Sequence, residues 1–394
     1  MRRLLPVFVL LLLAPAIPEL LTGSTPLHTF FTPFSFILEV GLYGAGAILI
    51  HELARERGLG WPRILLLGAA YGIIEEGLQI QSFFNIHHPG IGNLAVYGRG
   101  LGVNWVWAEM LTFFHAVFSI TIPILLTEML FPSRRAQPWL GKVGRRVFGG
   151  IFALDVVLGT ILFTAIWHTQ YNYLPPLLPY VGCIALVVVL VWRALRPVAP
   201  ARPTAEVMIP QAQRPPPRLW VLRAFGFGGI LGMYLISGIL ASDKSTIPAP
   251  ITMLIEAGWA WFLYWRIRRW SGPRRVWNDR HKLALATGGM LLFALADVII
   301  FGLAMHALDQ LVVGLATIAL LILLARRVNA RAAKTLQAAN AATDYLVPPP
   351  GGIPVYATNS DQLTVAFTGD PAQPPAPYPP DAPTIDLNRN PWSA

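Results

Sequence analysis

Apolar residues gather into ten runs, near residues 4–22, 33–51, 62–84, 104–130, 147–168, 174–193, 220–241, 249–265, 283–304 and 307–325. A helix rises 1.5 Å per residue, so each run approaches the length needed to cross a hydrocarbon layer of about 30 Å. Backbone polar groups surrounded by lipid must be satisfied within the segment, so the pattern predicts helices and not open strands. The expected fold class is all-α, a polytopic helical membrane protein with about ten transmembrane helices. Residues 1–193 read as a six-span half and 220–326 as a four-span half. Between them, 194–219 is Pro- and Arg-rich and reads as a cytoplasmic linker. Residues 327–394 carry PPPGG at 348–352 and PAQPPAPYPP at 371–380 and lack an apolar pattern, which predicts a disordered cytoplasmic tail.

Composition agrees: 55% of the 394 residues are hydrophobic and 13% charged, with mean hydropathy +0.54. A net charge of +10 raises the question of nucleic acid, and the placement of that charge answers it. With the N-terminus inside, all of the 30 Lys and Arg except Arg99 and Lys244 fall on inside segments. That is the positive-inside rule obeyed on every loop. It predicts both termini on the cytoplasmic side of a cell membrane, the lipid bilayer as partner and no nucleic acid. The basic clusters can also touch anionic lipid heads. The single cysteine, Cys183, lies in an apolar run, which excludes an intramolecular disulfide and a CxxC metal site. The start MRRLLPVFVLLLLAPA has the look of a signal peptide, with Ala14-Pro15-Ala16 as its small residues. Apolar sequence continues through Leu20 and Leu21, so an uncleaved helix is expected.

Against that apolar background the polar residues inside the runs stand out. An ionised side chain at membrane depth costs roughly 2.5–3.5 kcal/mol on insertion scales. The third run nevertheless holds two adjacent carboxylates, Glu75 and Glu76. Gly68, Gly72, Glu75, Gln79 and Ser82 share a helical face there. Glu109, Thr112, His115 and Ser119 do so in the fourth run. Thr160, Thr164 and His168 do so in the fifth, with Asn172 at the next step. The three stripes are expected to meet in an outward-leaning, partly hydrated cavity. A glutamate in a low-dielectric site is a useful general base. A histidine can share its proton, and a second histidine with an asparagine can donate to an oxyanion. The competing reading is structural: the carboxylates and His115 fix helix packing, and His168 and Asn172 cap a helix. A metal between Glu75, Glu76, His115 and His168 is chemically allowed. His51-Glu52 lacks the second histidine of HExxH, and no cofactor or resident metal is predicted.

The order Glu-Glu, then His, then His-x-x-x-Asn on successive helices resembles the CPBP family of intramembrane proteases, related to the CAAX prenyl endopeptidases. The family motifs are EExxxR, FxxxH and HxxxN. Here they read Glu75-Glu76-Gly77-Leu78-Gln79-Ile80, Leu111-Thr112-Phe113-Phe114-His115 and His168-Thr169-Gln170-Tyr171-Asn172. Ile80 stands in place of the family's Arg and Leu111 in place of its Phe. The resemblance covers about residues 50–190. It implies a glutamate- or metallo-type endopeptidase acting on a peptide or membrane-protein substrate. Glu75 and His115 would activate water beside Glu76, and His168 and Asn172 would form the oxyanion site. The last four runs add Glu256, Asp297, His306 and Asp309, which match no motif of that family. Glu75, Glu256 and Asp297 as proton carriers would suit a proton-coupled transporter. A catalytically silent scaffold using its Pro-rich tail is the third class. Convergence of Glu75, His115, His168 and Asn172 on one cavity is the geometric test among them.

Overall fold

The computed structural model describes residues 4–197, 215–241, 246–272, 276–344, 353–359 and 362–368. Lys244, most of the expected linker and the Pro-rich stretch 371–380 lie outside them. Helix makes up 79% of the structure, and each apolar run lies on a helix. These are α1 (Leu5–Leu20), α2 (Pro33–Glu56) and α3 (Trp61–Ile73, carried on by a π segment Ile74–Gln79). Then come α4 (Trp105–Leu130), α5 (Lys142–Tyr171), α6 (Leu177–Leu195), α7 (Leu219–Leu240), α8 (Ala249–Trp270), α9 (Asp279–Ala304) and α10 (Leu308–Asp344). Among the described residues, 7 helices are long and apolar enough to cross a membrane. α1 is shorter, while charged and aromatic side chains dilute α3 and α8.

The interior is built around α4. Of the most apolar stretch of α4, 67% of residues are buried, against 11% in α5 and 6% in α6. α4 is therefore central, and α5 and α6 turn most of their apolar surface outward. Leu10, Ile48, Ile64, Tyr71, Ile120 and Ile124 join α1 to α4 in one apolar cluster. Phe83, Phe84, Val106 and Trp107 form another at the far end of α3. Lipid tails are as apolar as these side chains, so close approach and internal hydrogen bonds hold the helices together. Glycine supplies the approach where α7 meets α9: a methyl on Gly288 would lie 2.1 Å from the Arg223 carbonyl oxygen.

Residues 1–325 form one compact unit and 326–394 a second. The two expected halves share the first unit, with Phe118 of α4 packed edge-on to Phe293 of α9 at 5.1 Å. Two departures from the sequence pattern stand out. The third run does not stay helical to residue 84: α3 ends at Gln79, and Gln81 turns the chain with φ +64°. The expected disordered tail opens with ordered backbone. α10 runs to Asp344 through an Ala-rich stretch that favours helix. Beyond it, β3 (Ile353–Asn359) pairs antiparallel with β4 (Gln362–Thr368), Ile353 opposite Thr368. Val, Ile, Thr, Tyr and Phe dominate those strands. A smaller ladder, β1 (Arg99–Gly100) with β2 (Val103–Asn104), closes the loop before α4.

Near the end of α2, the buried Glu52 carboxylate accepts from the backbone N–H of Trp139 (2.7 Å) and Leu140 (2.9 Å). His51 stacks on Trp139 at 3.6 Å. Arg55 Nε donates to Glu128 Oε1 at 2.7 Å. This is the surrounding of the incomplete His51-Glu52 pair: a latch on the loop between α4 and α5. Glu52→Gln replaces one charged acceptor oxygen by an amide and is expected to cost about 1 kcal/mol. Thermal unfolding of the purified protein in detergent measures it, and an unchanged midpoint would refute the latch.

Candidate functional site

Small residues on α3 set the site. Gly68 and Gly72 bring α3 against α4 so closely that a methyl on Gly68 would lie 2.9 Å from Ala116 Cα. One on Gly72 would lie 2.8 Å from His115 Cβ. Both helices then loosen into π segments, Ile74–Gln79 in α3 and His115–Thr121 in α4. The π turn changes which side chains share a face. Glu75 stays with His115, whereas Gln79 swings to α5 and donates to Asp155 Oδ1 at 3.0 Å. Ser82 lies beyond the helix end, yet it returns to the site as a hydrogen-bond donor to Glu76.

His115 is the hub, buried at 2% exposure between Glu75 at 0% and Glu76 at 7%. Its Nδ1 lies 3.0 Å from Glu75 Oε2 and 2.9 Å from Ser119 Oγ. Its Nε2 lies 3.0 Å from Glu76 Oε1. Tyr43 hydrogen-bonds to the other oxygen of Glu75 and reaches Glu19 Oε1 at 2.5 Å. Thr25 donates to Glu19 Oε2 at 2.6 Å. On the other flank, Trp107 Nε1 donates to Ser82 Oγ at 3.0 Å. Hydrogen bonds therefore link Thr25, Glu19, Tyr43 and Glu75 on one side and His115, Glu76, Ser82 and Trp107 on the other, and the 3.0 Å ion-pair contact of Glu75 with His115 joins the two runs.

Donor counting fixes part of its protonation. A phenol has one O–H, so Tyr43 cannot donate to Glu19 and Glu75 at once. One of those carboxyls must carry a proton and donate to the phenol oxygen. His115 hydrogen-bonds to Glu76 through Nε2 and to Ser119 through Nδ1, with Glu75 Oε2 beside Nδ1 at 3.0 Å. The cluster thus holds at least one exchangeable proton. Glu75, Glu76 and His115 also offer one ligand atom each within 4.8 Å of one another, a set that can hold a metal ion.

His168 and Asn172, expected to converge here, do not. His168 is exposed in the last turn of α5. Asn172 is also exposed and ends that helix in the left-handed region, φ +50°, its N–H donating to the His168 carbonyl at 2.9 Å. The i,i+4 spacing that suggested a shared face is a helix C-cap, a position that favours Asn. The other acids are scattered. Glu256 is buried and accepts from Ser237, Asp297 is buried at the start of a π segment in α9, Asp309 lies 3.9 Å from His28, and His306 is exposed. Glu109 and Thr112 leave the His115 stripe, and Thr112 donates to its own helix at Ala108.

Sequence reasoning missed Glu19, Glu39 and Tyr43. The signal was present: Glu19 and Glu39 are carboxylates inside apolar runs, the same anomaly that singled out Glu75. Each lies at a π segment, Ala16–Leu20 for Glu19 and Val40–Gly44 just after Glu39. Also missed was His88, in the loop after α3. Its ring sits 6.1 Å from that of Trp107. Burial pushes its imidazole below the ordinary value, while the Glu76 charge pulls it back up.

The helices and the buried ionisable core define a multi-pass helical membrane protein. Residues 8–343 match the model of an uncharacterized membrane protein family, and the chain belongs to that family. No curated protein matches the chain, and no solved structure does.

Proposed function

We propose that this protein is a proton-coupled membrane transporter whose α1–α4 core takes up and releases protons through Glu19, Tyr43, Glu75, His115 and Glu76. The observation that carries the reading is the row of titratable groups in contact, hydrogen-bonded from Glu19 through Tyr43 to Glu75 and joined by the Glu75–His115–Glu76 ion pairs, in which donor counting requires a proton on the Glu19–Tyr43–Glu75 segment. Carboxylates beyond the triad, on helices of the same core, support it. Glu19, Glu39 and Asp155 have no ion-pair partner among the described residues, and Glu39 Oε2 is buried without a hydrogen bond. Unpaired carboxylates at membrane depth hold protons or face a cation path. The π segments at Glu19 and after Glu39 also distort their helices where these acids lie. In this reading the ten helices are ten spans with both termini cytoplasmic.

The test is proton flux in vesicles. Purified protein reconstituted with an internal pH dye should dissipate an imposed proton gradient. Glu75→Gln and Tyr43→Phe, each nearly isosteric, should slow that flux at least tenfold while the proteins elute as folded monodisperse species. Flux in Glu75→Gln equal to the parent would sink the proposal.

A second reading keeps the resemblance to the CPBP proteases: Glu75 with His115 activates water for peptide hydrolysis. The 3.0 Å contact between them favours it. The exposed His168 and Asn172 supply no oxyanion contact to that pair. A hydrolase here would cleave a quenched fluorescent peptide, lose activity in Glu75→Gln and keep it in Asn172→Ala.

A further inference from the structure

A second polar feature lies at the other end of α5, away from the buried chain. Lys142, Arg145 and Arg146 line an open groove of about 440 Å³ at the start of that helix. Arg145 is held at 3.0 Å by Glu56 at the end of α2. Lys142 and Arg146 are exposed and have no acidic partner among the described residues. The groove is therefore a net cationic concavity with one of its three walls fixed in place. The Glu52 latch on Trp139 and Leu140 steadies the loop that leads into it.

What lies beside the groove indicates the ligand. Gly150, Ala153, Val157 and Ile161 carry on, at helical spacing, the face of α5 that bears Lys142 and Arg146, and all are exposed. Among the described residues no other helix covers this stripe, so in a bilayer it faces acyl chains. Gly149 and Gly150, one turn beyond the basic residues, have nothing within 4 Å of where a side chain would begin. A ligand seated here meets three cations at one end and a bare apolar helix face at the other. Inorganic phosphate satisfies only the first, and a zwitterionic lipid brings its own cation into a cationic site.

We propose that this groove is a binding site for an anionic phospholipid, its phosphate among Lys142, Arg145 and Arg146 and its acyl chains along the Gly150–Ile161 stripe. Charge complementarity, and continuity between the groove and the lipid-facing stripe, carry the assignment. It is independent of the transport reading.

The test uses the full chain in nanodiscs of equal phosphatidylglycerol and phosphatidylcholine, released into native mass spectrometry. The parent protein should retain phosphatidylglycerol over phosphatidylcholine. Each neutralised charge should weaken that retention roughly fivefold. Lys142→Gln and Arg146→Gln alter exposed side chains and preserve the Glu56 pair, so they guard against misfolding of a triple variant with Arg145→Gln. Arg326→Gln, outside the groove, should retain lipid like the parent. Equal retention of the two lipids by the parent, or undiminished retention in Lys142→Gln with Arg146→Gln, overturns the site. Displacement of the lipid by millimolar inorganic phosphate alone would assign a free anion instead and overturn it equally.

Discussion

His115→Leu is expected to lower the stability of the purified protein by about 3–5 kcal/mol, the cost of removing one partner from a buried ionic cluster. His115 separates two buried carboxylates, with 3.0 Å to each. Leucine has similar bulk, so the packing against Gly72 survives, but no donor then faces Glu75 Oε2 or Glu76 Oε1. Two carboxylates would confront each other across an apolar side chain, and one must take up a proton or the helices must part. Combining His115→Leu with Glu75→Gln and Glu76→Gln removes the stranded charges together, and should recover at least half of the deficit. Thermal unfolding of the four proteins in one detergent measures both. A triple variant less stable than His115→Leu would mean that the cluster contributes through hydrogen bonds to its outer partners, Tyr43 and Ser82, and not through charge pairing.

The helices were legible because lipid leaves the backbone few options: each apolar run lies mainly on a helix, the third leaving it at Gln79. The acid–imidazole core was legible for a related reason. Glu75, Glu76 and His115 are costly at membrane depth, and helical spacing brought the right faces of α3 and α4 together. Two things escaped the pattern. A regular period of 3.6 residues cannot foresee a π segment, so Gln79 was assigned to a face it leaves and Ser82 to a helix that ends before it. A motif of residue types cannot tell a shared face from a helix cap, so His168 and Asn172 were joined to a site they do not reach. Glu19, Glu39 and Tyr43 come from α1 and α2, which the motif does not cover. Recognising them required weighing every carboxylate in an apolar run equally. In the tail, low hydropathy pointed to disorder over 327–394, while Ala-rich and β-branched stretches within it still carried helix and strand preferences.

Gly72→Leu should be the most damaging change that leaves every ionisable group in place. A methyl at this position already lies 2.8 Å from His115 Cβ. Such a clash is cheap only if the neighbour can yield, and His115 cannot, because Glu75, Glu76 and Ser119 fix its ring from three directions. The strain must pass to the helix crossing. One turn away, Gly68 would meet the backbone of Ala116 at 2.9 Å, so α3 and α4 have no spare separation there either. Overpacking of this kind costs about 3 kcal/mol. By driving α4 from α3 it should also open the gaps between His115 and both carboxylates, abolishing proton flux in vesicles. Gly182→Leu is the matched control: the same substitution in the same kind of helix, at an exposed site with nothing within 4 Å, should leave stability and flux at parent values. If Gly72→Leu also keeps both, the close approach of α3 and α4 does not set the Glu75–His115–Glu76 geometry, and the proton chain loses its structural basis.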